Sequence, residues 1–212
     1  MKYIDRLAAR YPALAPLKHK TEDAVRLLLT MYRAGGKLLL AGNGGSAADC
    51  EHISGELLKG FLLPRPAVGA EREALAAALG SPEQAARLQR GVPAVPLPSL
   101  SAVPSAFMND VDPALVFAQQ VYALARPGDV LLVLSTSGNS ENILLAARVA
   151  RAQGIPVIAL TGAGGGRVGA LADITLDVPA SSTPDVQEYH LPLYHAICAQ
   201  VEEELFGHPA EA

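Results

Sequence analysis

Five short apolar runs divide the chain, and the first four of them do not alternate with polar residues. The runs are 37–41, 94–97, 129–134, 155–160 and 174–178. Because an unbroken apolar run of this length is typical of a strand buried on both faces, each run predicts a strand of a parallel sheet. Segments with helical spacing separate the runs. The pattern therefore predicts an α/β fold, a three-layer sandwich with a five-stranded parallel sheet between helices.

Apolar residues recur at helical spacing in the segments between the runs. They predict helices at about 3–13, 22–34, 47–58, 70–79, 82–90, 101–108, 113–125, 143–150 and 184–206. The first two are N-terminal helices that precede the sheet, so we expect them to flank it or to pack between subunits. In the final helix, Thr183 is a suitable cap and Pro184 suits the first position, whereas Pro192 should kink the helix or delay its start.

An alanine-rich segment at about 66–91 differs from its surroundings. Gly80, Ser81 and Pro82 divide it into two helical stretches, and it is too short to bury a core of its own. We therefore interpret it as a helical insertion in a single domain of residues 1–212, a length that suits one domain.

Composition narrows the class of protein. Half of the 212 residues are hydrophobic, the net charge is -4 and the pI is about 5.7, so no nucleic-acid partner is expected. The two cysteines lie far apart and fit neither a disulfide framework nor a zinc finger, which is consistent with a reduced compartment. The first residues lack the apolar core of a signal peptide, and no apolar stretch is long enough to span a membrane. We expect a cytoplasmic protein with no membrane contact.

Two turns follow predicted strands and precede predicted helices. The first, Gly42–Ser46, is rich in glycine, which lets a backbone approach a ligand closely. The second, Ser135–Ser140, carries three serines and a threonine at the start of a helix, where free N–H groups and the helix dipole favour a phosphate. An ordinary capped helix is the alternative interpretation of the second turn. Ligands of parallel α/β folds lie at the carboxyl ends of the strands, where both turns are expected.

Two helices carry residues suited to acid–base or metal chemistry. His52 and Glu56 are four residues apart and share one helix face, so they could hold zinc, and a glutamate near a sugar carbon could act as a base. A solvated helix pair is the alternative. Gln187 and His195 are eight residues apart on the last helix, about 12 Å of rise, so both reach one ion only if their side chains converge.

These motifs, in this order and with Asn109-Asp110 between them, resemble the phosphoheptose isomerases. Those proteins have a sugar isomerase (SIS) domain and interconvert sedoheptulose 7-phosphate and a heptose phosphate. The resemblance covers most of residues 20–206 apart from the insertion. It implies the SIS fold, a homotetramer with sites between subunits, and a sugar-phosphate aldose–ketose isomerase that acts from sedoheptulose 7-phosphate to heptose 7-phosphate.

The resemblance also implies roles for the matched positions. Glu56 and His195 match the acid–base pair. The positions that match zinc ligands are His52, Glu56, Gln187 and His195. The positions that match substrate-binding residues are Asn43, Gly44, Gly45, Glu56, Asn109, Asp110, Ser135, Thr136, Ser137, Ser140 and Gln187.

Some positions depart from the family pattern. Gly55 replaces a glutamate, Gly60 an arginine and Pro184 an aspartate, and the insertion is absent from the typical isomerase. These departures leave the phosphate end of the site intact and leave the identity of the sugar open. The alternative function is a non-catalytic SIS module that binds a sugar phosphate or a replication-initiator protein. His195 favours the enzyme, because a scaffold has no chemical need for it.

Overall fold

A computed structural model of the chain describes residues 1–207, so the last five residues of the predicted domain lie outside the described residues. The described strands are β1 (Leu38–Gly42), β2 (Ala94–Pro96), β3 (Val130–Ser135), β4 (Val157–Thr161) and β5 (Ile174–Asp177). The described α-helices are α1 (Lys2–Arg10), α2 (Lys18–Arg33), α3 (Gly45–Leu58), α4 (Gly69–Leu79), α5 (Pro82–Ala85), α6 (Ala102–Asp110), α7 (Val116–Leu124), α8 (Glu141–Ala152), α9 (Gly166–Gly169) and α10 (Thr183–Phe206).

The strands of residues 1–207 form one sheet in the order β2-β1-β3-β4-β5, and every pair in it is parallel. The predicted five-stranded α/β sandwich is confirmed. The chain first extends the sheet from β1 to β2 and then returns to the other side of β1 with β3. The strand order therefore reverses between β1 and β3, and ligands of such folds bind in the crevice beyond the carboxyl ends at that point.

Successive residues of the central strands pack on opposite faces of the sheet. Leu132 and Leu134 belong to the core that α1, α2, α3 and α10 cover. Leu131 and Val133 belong to the second core, which α7 and α8 cover. Because both faces are buried, both sets of positions must be apolar, and this explains the unbroken runs in the sequence.

Several predicted helix boundaries are wrong. α1 ends at Arg10, and a 3₁₀ helix covers Pro12–Leu17. The second helix of the insertion covers only Pro82–Ala85, and Gln89 instead forms an isolated antiparallel bridge with Pro66. The second half of the segment therefore returns to the rest of the domain. Helix propensity describes only local sequence, so it does not predict this return.

The final helix also differs from expectation. Ser182, not Thr183, is its N-cap, and the Ser182 hydroxyl accepts a hydrogen bond from the Asp185 N–H. α10 runs without interruption from Thr183 to Phe206, so Pro192 does not delay its start. Within residues 1–207, no helix combines the length and the apolar character needed to cross a membrane.

Candidate active site

The two predicted turns lie next to each other at the point where the strand order reverses. Asn43 follows β1, and its side-chain amide exchanges two hydrogen bonds with that of Asn142 in the first turn of α8, at 3.0 and 2.9 Å. Gly44 has a φ of 55°, a backbone conformation that favours glycine, and directly precedes α3. The glycine turn is thereby fixed to the helix that begins at the hydroxyl-rich turn. Asn142 was not predicted as a site residue.

The hydroxyl-rich turn places its side chains around the start of α8. Ser135 is buried at the end of β3, and its hydroxyl donates to that of Ser140 at 3.3 Å. Ser140 is the N-cap of α8, so the helix N-terminus faces the turn. The Ser137 hydroxyl is exposed and accepts from the Asn139 N–H at 3.1 Å. An exposed hydroxyl beside a helix N-terminus is the arrangement that suits a phosphate held by neutral donors.

The start of α10 also lies at this turn. The hydroxyl oxygens of Thr136 and Thr183 are 3.5 Å apart. Gly138 has a φ of 64°, and a Cβ there would stand 2.1 Å from the Gly165 carbonyl oxygen. Only glycine fits this position, because any side chain would displace the neighbouring backbone.

His52, Glu56 and His195 form one compact cluster between α3 and α10. His52 Nε2 lies 3.2 Å from Glu56 Oε1 and 3.3 Å from His195 Nε2. One ligand atom from each of the three residues lies within 4.8 Å of the others. Lys59 adds a positive charge, with its Nζ 3.3 Å from Glu56 Oε2. The two helices run side by side in the same direction, so residues 143 positions apart in the sequence meet.

The structure places Gln187 outside this cluster. Its side-chain amide lies against the start of α3, where a Cβ on Gly45 would stand 2.5 Å from Gln187 Nε2. Gly45 precedes His52 by seven residues, which is about 10 Å along a helix. Within residues 1–207, no hydrogen bond joins Gln187 to the cluster of His52, Glu56 and His195. Its predicted role as a fourth metal ligand stays a prediction.

Asn109 and Asp110 lie at the end of α6 and are exposed. The Asn109 side-chain amide donates to Asp110 Oδ1 at 2.8 Å. Among the described residues, no hydrogen bond connects either side chain to the two turns or to the cluster. Their predicted contact with the sugar stays a prediction.

A tyrosine that sequence reasoning missed contacts the far side of the His52 ring, and an aspartate that it also missed lies behind the tyrosine. Tyr194 Oη lies 2.9 Å from His52 Nδ1 and 3.0 Å from Asp49 Oδ1. Tyr194 is buried, and burial raises its pKa, so the hydroxyl keeps its proton. Burial also raises the pKa of Asp49, although the hydrogen bond from Tyr194 opposes this. Asp49 is three residues from His52, a helical spacing that could have indicated a shared partner.

His195 is partly buried, and this burial lowers its pKa. The neighbouring imidazole of His52 lowers the pKa further, whereas the Glu56 carboxylate raises it. Its ring also packs near that of Phe61, with 5.4 Å between the centroids. The environment favours the neutral imidazole, which can accept a proton or bind a metal.

A buried ion pair that the sequence did not indicate fixes the end of α3 to α10. Arg65 and Glu202 are fully buried, and Arg65 Nε donates to Glu202 Oε1 at 2.7 Å. Glu202 also accepts hydrogen bonds from the backbone N–H groups of residues 61–63. The Arg65 guanidinium donates to the carbonyl oxygens of Leu57 and Glu56. The segment after α3 is therefore held in place behind the cluster, and no spacing rule links partners 137 residues apart.

The cluster has the chemistry and spacing of a zinc site. Two imidazoles and a carboxylate are common zinc ligands. Tetrahedral ligands about 2.1 Å from zinc stand about 3.4 Å from one another. The separations of 3.2 and 3.3 Å around His52 Nε2 are close to this value. The three residues therefore fit the ion.

Comparison with known proteins gives consistent matches along the chain. The sequence profile of the family described as SIS domain matches residues 77–162. The phosphoheptose isomerase of Akkermansia muciniphila is 35% identical over 201 residues, which cover 95% of this chain and 94% of that protein. The phosphoheptose isomerase of Burkholderia pseudomallei is 42% identical over 173 residues, which cover 82% of this chain and 76% of that protein.

Solved structures give the same result. The phosphoheptose isomerase of Neisseria gonorrhoeae superposes with a TM-score of 0.74 at 33% identity, and the match covers 94% of each chain. That of Francisella tularensis superposes with a TM-score of 0.74 at 29% identity, and the match covers 95% of each chain. The similarity thus extends well beyond residues 77–162, the part of the chain that the SIS profile covers.

Proposed function

The chain belongs to the phosphoheptose isomerase family of SIS-domain proteins, and we propose on this basis that it interconverts sedoheptulose 7-phosphate and heptose 7-phosphate. The protein is a phosphosugar isomerase. The observation that carries the specific proposal is the cluster of His52, Glu56 and His195, which joins a carboxylate to two imidazoles. The alternative of a non-catalytic SIS module is not favoured, because the relatives that match nearly the whole chain are named isomerases.

The proposed reaction exchanges a ketose and an aldose through an enediol. Glu56 removes a proton from C1, beside the carbonyl at C2, and a proton returns to C2. His195 transfers a proton between the oxygens on C1 and C2. No atom is gained or lost.

The length of the substrate supports this arrangement. An extended seven-carbon chain with its phosphate spans about 10 Å, at about 1.2 Å per bond. Gln187, whose side chain lies against Gly45 of the glycine turn, and His195 are separated by about 12 Å of helix rise, which is comparable with the length of the substrate. We propose that the hydroxyl-rich turn, with Ser135, Thr136, Ser137 and Ser140, binds the phosphate, and that the glycine turn and Gln187 border the sugar.

Turnover of the sugar tests the proposal. Purified protein is incubated with sedoheptulose 7-phosphate in deuterated buffer, and proton NMR follows the aldose and the exchange of carbon-bound hydrogen. Glu56→Gln should lower the rate at least about 100-fold, because it removes the base. Glu51→Gln, on an exposed position of the same helix, is the control and should retain the wild-type rate. Wild-type protein that binds the sugar without forming the aldose would refute the reaction.

Zinc is the second part of the proposal. His52, Glu56 and His195 would hold the ion, with Gln187 as the predicted fourth ligand. When bound, zinc would supply a Lewis acid beside the substrate carbonyl. Glu56 and His195 would move protons only in the form of the site in which the ion does not hold them. Elemental analysis should find about one zinc per chain, and His52→Gln should lose it. Full zinc content in that variant would place the metal elsewhere.

The third part concerns assembly and location. We propose a homotetramer, because apolar side chains on α6 such as Val103 and Met108 are exposed in the single chain, and no residue of this helix is buried. Light scattering that detects only a particle of 22.0 kDa would contradict this.

We also propose a cytoplasmic location, because Cys50 and Cys198 are buried free thiols. A periplasmic activity in fractionated cells would contradict it.

A further inference from the structure

The His52 ring is constrained on both of its nitrogen atoms. Nε2 faces the cluster, towards Glu56 and His195. Nδ1 faces the Tyr194 hydroxyl at 2.9 Å, and that hydroxyl also contacts Asp49 Oδ1 at 3.0 Å. The rings of His52 and Tyr194 meet edge to face, with 5.5 Å between centroids, so packing holds the contact in place.

The chemistry of the three groups sets the direction of these hydrogen bonds. A tyrosine hydroxyl has one proton to donate, and an ionised carboxylate only accepts. The Tyr194 proton therefore goes to Asp49, and the Tyr194 oxygen accepts from His52. This order places the His52 proton on Nδ1, across the shorter of its two contacts, and turns the electron pair of Nε2 towards Glu56 Oε1, the competing acceptor at 3.2 Å.

We propose that Tyr194 and Asp49 are positioning residues that hold His52 in the Nδ1–H tautomer, so that Nε2 is ready to bind the metal of the active site. The inference rests on the proposed function where it concerns the metal. A hydrogen bond to the second nitrogen of a ligand histidine fixes both its tautomer and its orientation. The contact between α3 and α10 thus prepares the ligand before any ion arrives.

The reversed order of hydrogen bonds makes a different prediction. A protonated Asp49 would donate to Tyr194, Tyr194 would donate to Nδ1, and His52 would carry its proton on Nε2. That proton would point at Glu56 and would have to leave before a metal could bind. The tautomer of His52 therefore separates the two orders.

Tyr194→Phe is the main variant, because it removes the hydroxyl and keeps the ring that packs against His52. Asp49→Asn removes the charge at the end of the chain of hydrogen bonds. Tyr189→Phe is the matched control, since Tyr189 lies on the same helix and its hydroxyl bonds no residue in the described range 1–207. Nitrogen-15 NMR of the metal-free full-length protein reports the His52 tautomer, with the signal assigned from His52→Gln. Competition with a chromophoric chelator measures the dissociation constant for zinc.

Wild type and Tyr189→Phe should show the Nδ1–H tautomer. Tyr194→Phe should show a mixture of tautomers and bind zinc about 10- to 100-fold more weakly. Asp49→Asn should also weaken zinc binding. The double variant should bind zinc as tightly as Tyr194→Phe alone, because both residues act through one chain of hydrogen bonds.

An Nε2–H tautomer in the wild type would overturn the proposal. So would a Tyr194→Phe protein with the wild-type tautomer. A merely structural role for Tyr194 would lower stability without changing the tautomer. If wild-type protein binds no zinc, the metal of the proposed function is wrong, and the NMR comparison alone decides the inference.

Discussion

Acid should destabilise this protein through one buried histidine, His190. Its side chain is fully buried on α10, and within residues 1–207 neither ring nitrogen has a hydrogen-bond partner, although the Thr161 backbone is near enough to favour the proton weakly. Burial lowers the pKa of His190 from 6.5 to about 4, because the charged ring would lose its hydration.

The sign and the size of the effect follow from proton linkage. Between pH 6.5 and about 4, the unfolded chain carries a proton on His190 and the folded chain does not. The unfolded state is therefore favoured as the pH falls through this window, and stability is regained as the pH rises. Since a tenfold change in proton affinity is worth about 1.4 kcal/mol, the full difference is about 3 kcal/mol.

Urea unfolding of wild type and His190→Leu measures this difference. The chain has no tryptophan, so far-ultraviolet circular dichroism is the signal, at one protein concentration to keep assembly constant. Leucine has a similar size and no titratable group. At about pH 7.5 the two proteins should be within about 1 kcal/mol of each other, because no hydrogen bond is lost.

Between about pH 7.5 and 4.5 the wild type should lose about 2–3 kcal/mol more than the variant, because pH 4.5 is still above the folded pKa of about 4. Carboxylates and other histidines titrate in both proteins, so their contribution cancels in the comparison. His19→Gln is the control, because the His19 side chain is 89% exposed. If His190→Leu loses as much stability as the wild type over this range, the assignment of the acid effect to His190 is refuted.

Three further outcomes are expected. Ser137→Ala should weaken binding of sedoheptulose 7-phosphate about tenfold by calorimetry with little change in urea stability, because it removes an exposed hydroxyl at the helix N-terminus; unchanged affinity would contradict the phosphate assignment. Arg65→Met should cost about 3–5 kcal/mol of unfolding free energy, because Glu202 stays buried without its cation. The added change Glu202→Gln should recover part of this loss, because it removes the unpaired charge and keeps an acceptor for the N–H groups of residues 61–63. No recovery would show that the cost lies in packing. Treatment with a chelator should lower the Tm, because a bound ion stabilises only the folded state that binds it. An unchanged Tm with full activity would refute the proposed zinc site.

The sequence alone determined the sheet and the position of both turns. The apolar runs predicted the five strands, and the signal is clearest for β1, β3 and β4, because a strand that is buried on both faces is apolar at every position. The hydroxyl-rich turn at Ser135–Ser140 and the glycine turn at Gly42–Ser46 followed from their place between a strand and a helix. These features are local, so neighbouring residues are enough to indicate them. The predicted boundaries of short helices such as α5 were wrong, because tertiary contacts that bring the chain back to the core override helix propensity.

Only the tertiary structure decided how the site is assembled. His52 and Glu56 share a helix face, but their contact with His195 depends on α3 and α10 running side by side. The same packing brings Tyr194 to Asp49 and places Gln187 beside Gly45 instead of within the cluster. Contacts between residues more than a hundred positions apart leave no periodic signal in the sequence. They are set by which helices cover the same face of the sheet, and this is fixed only when both cores close.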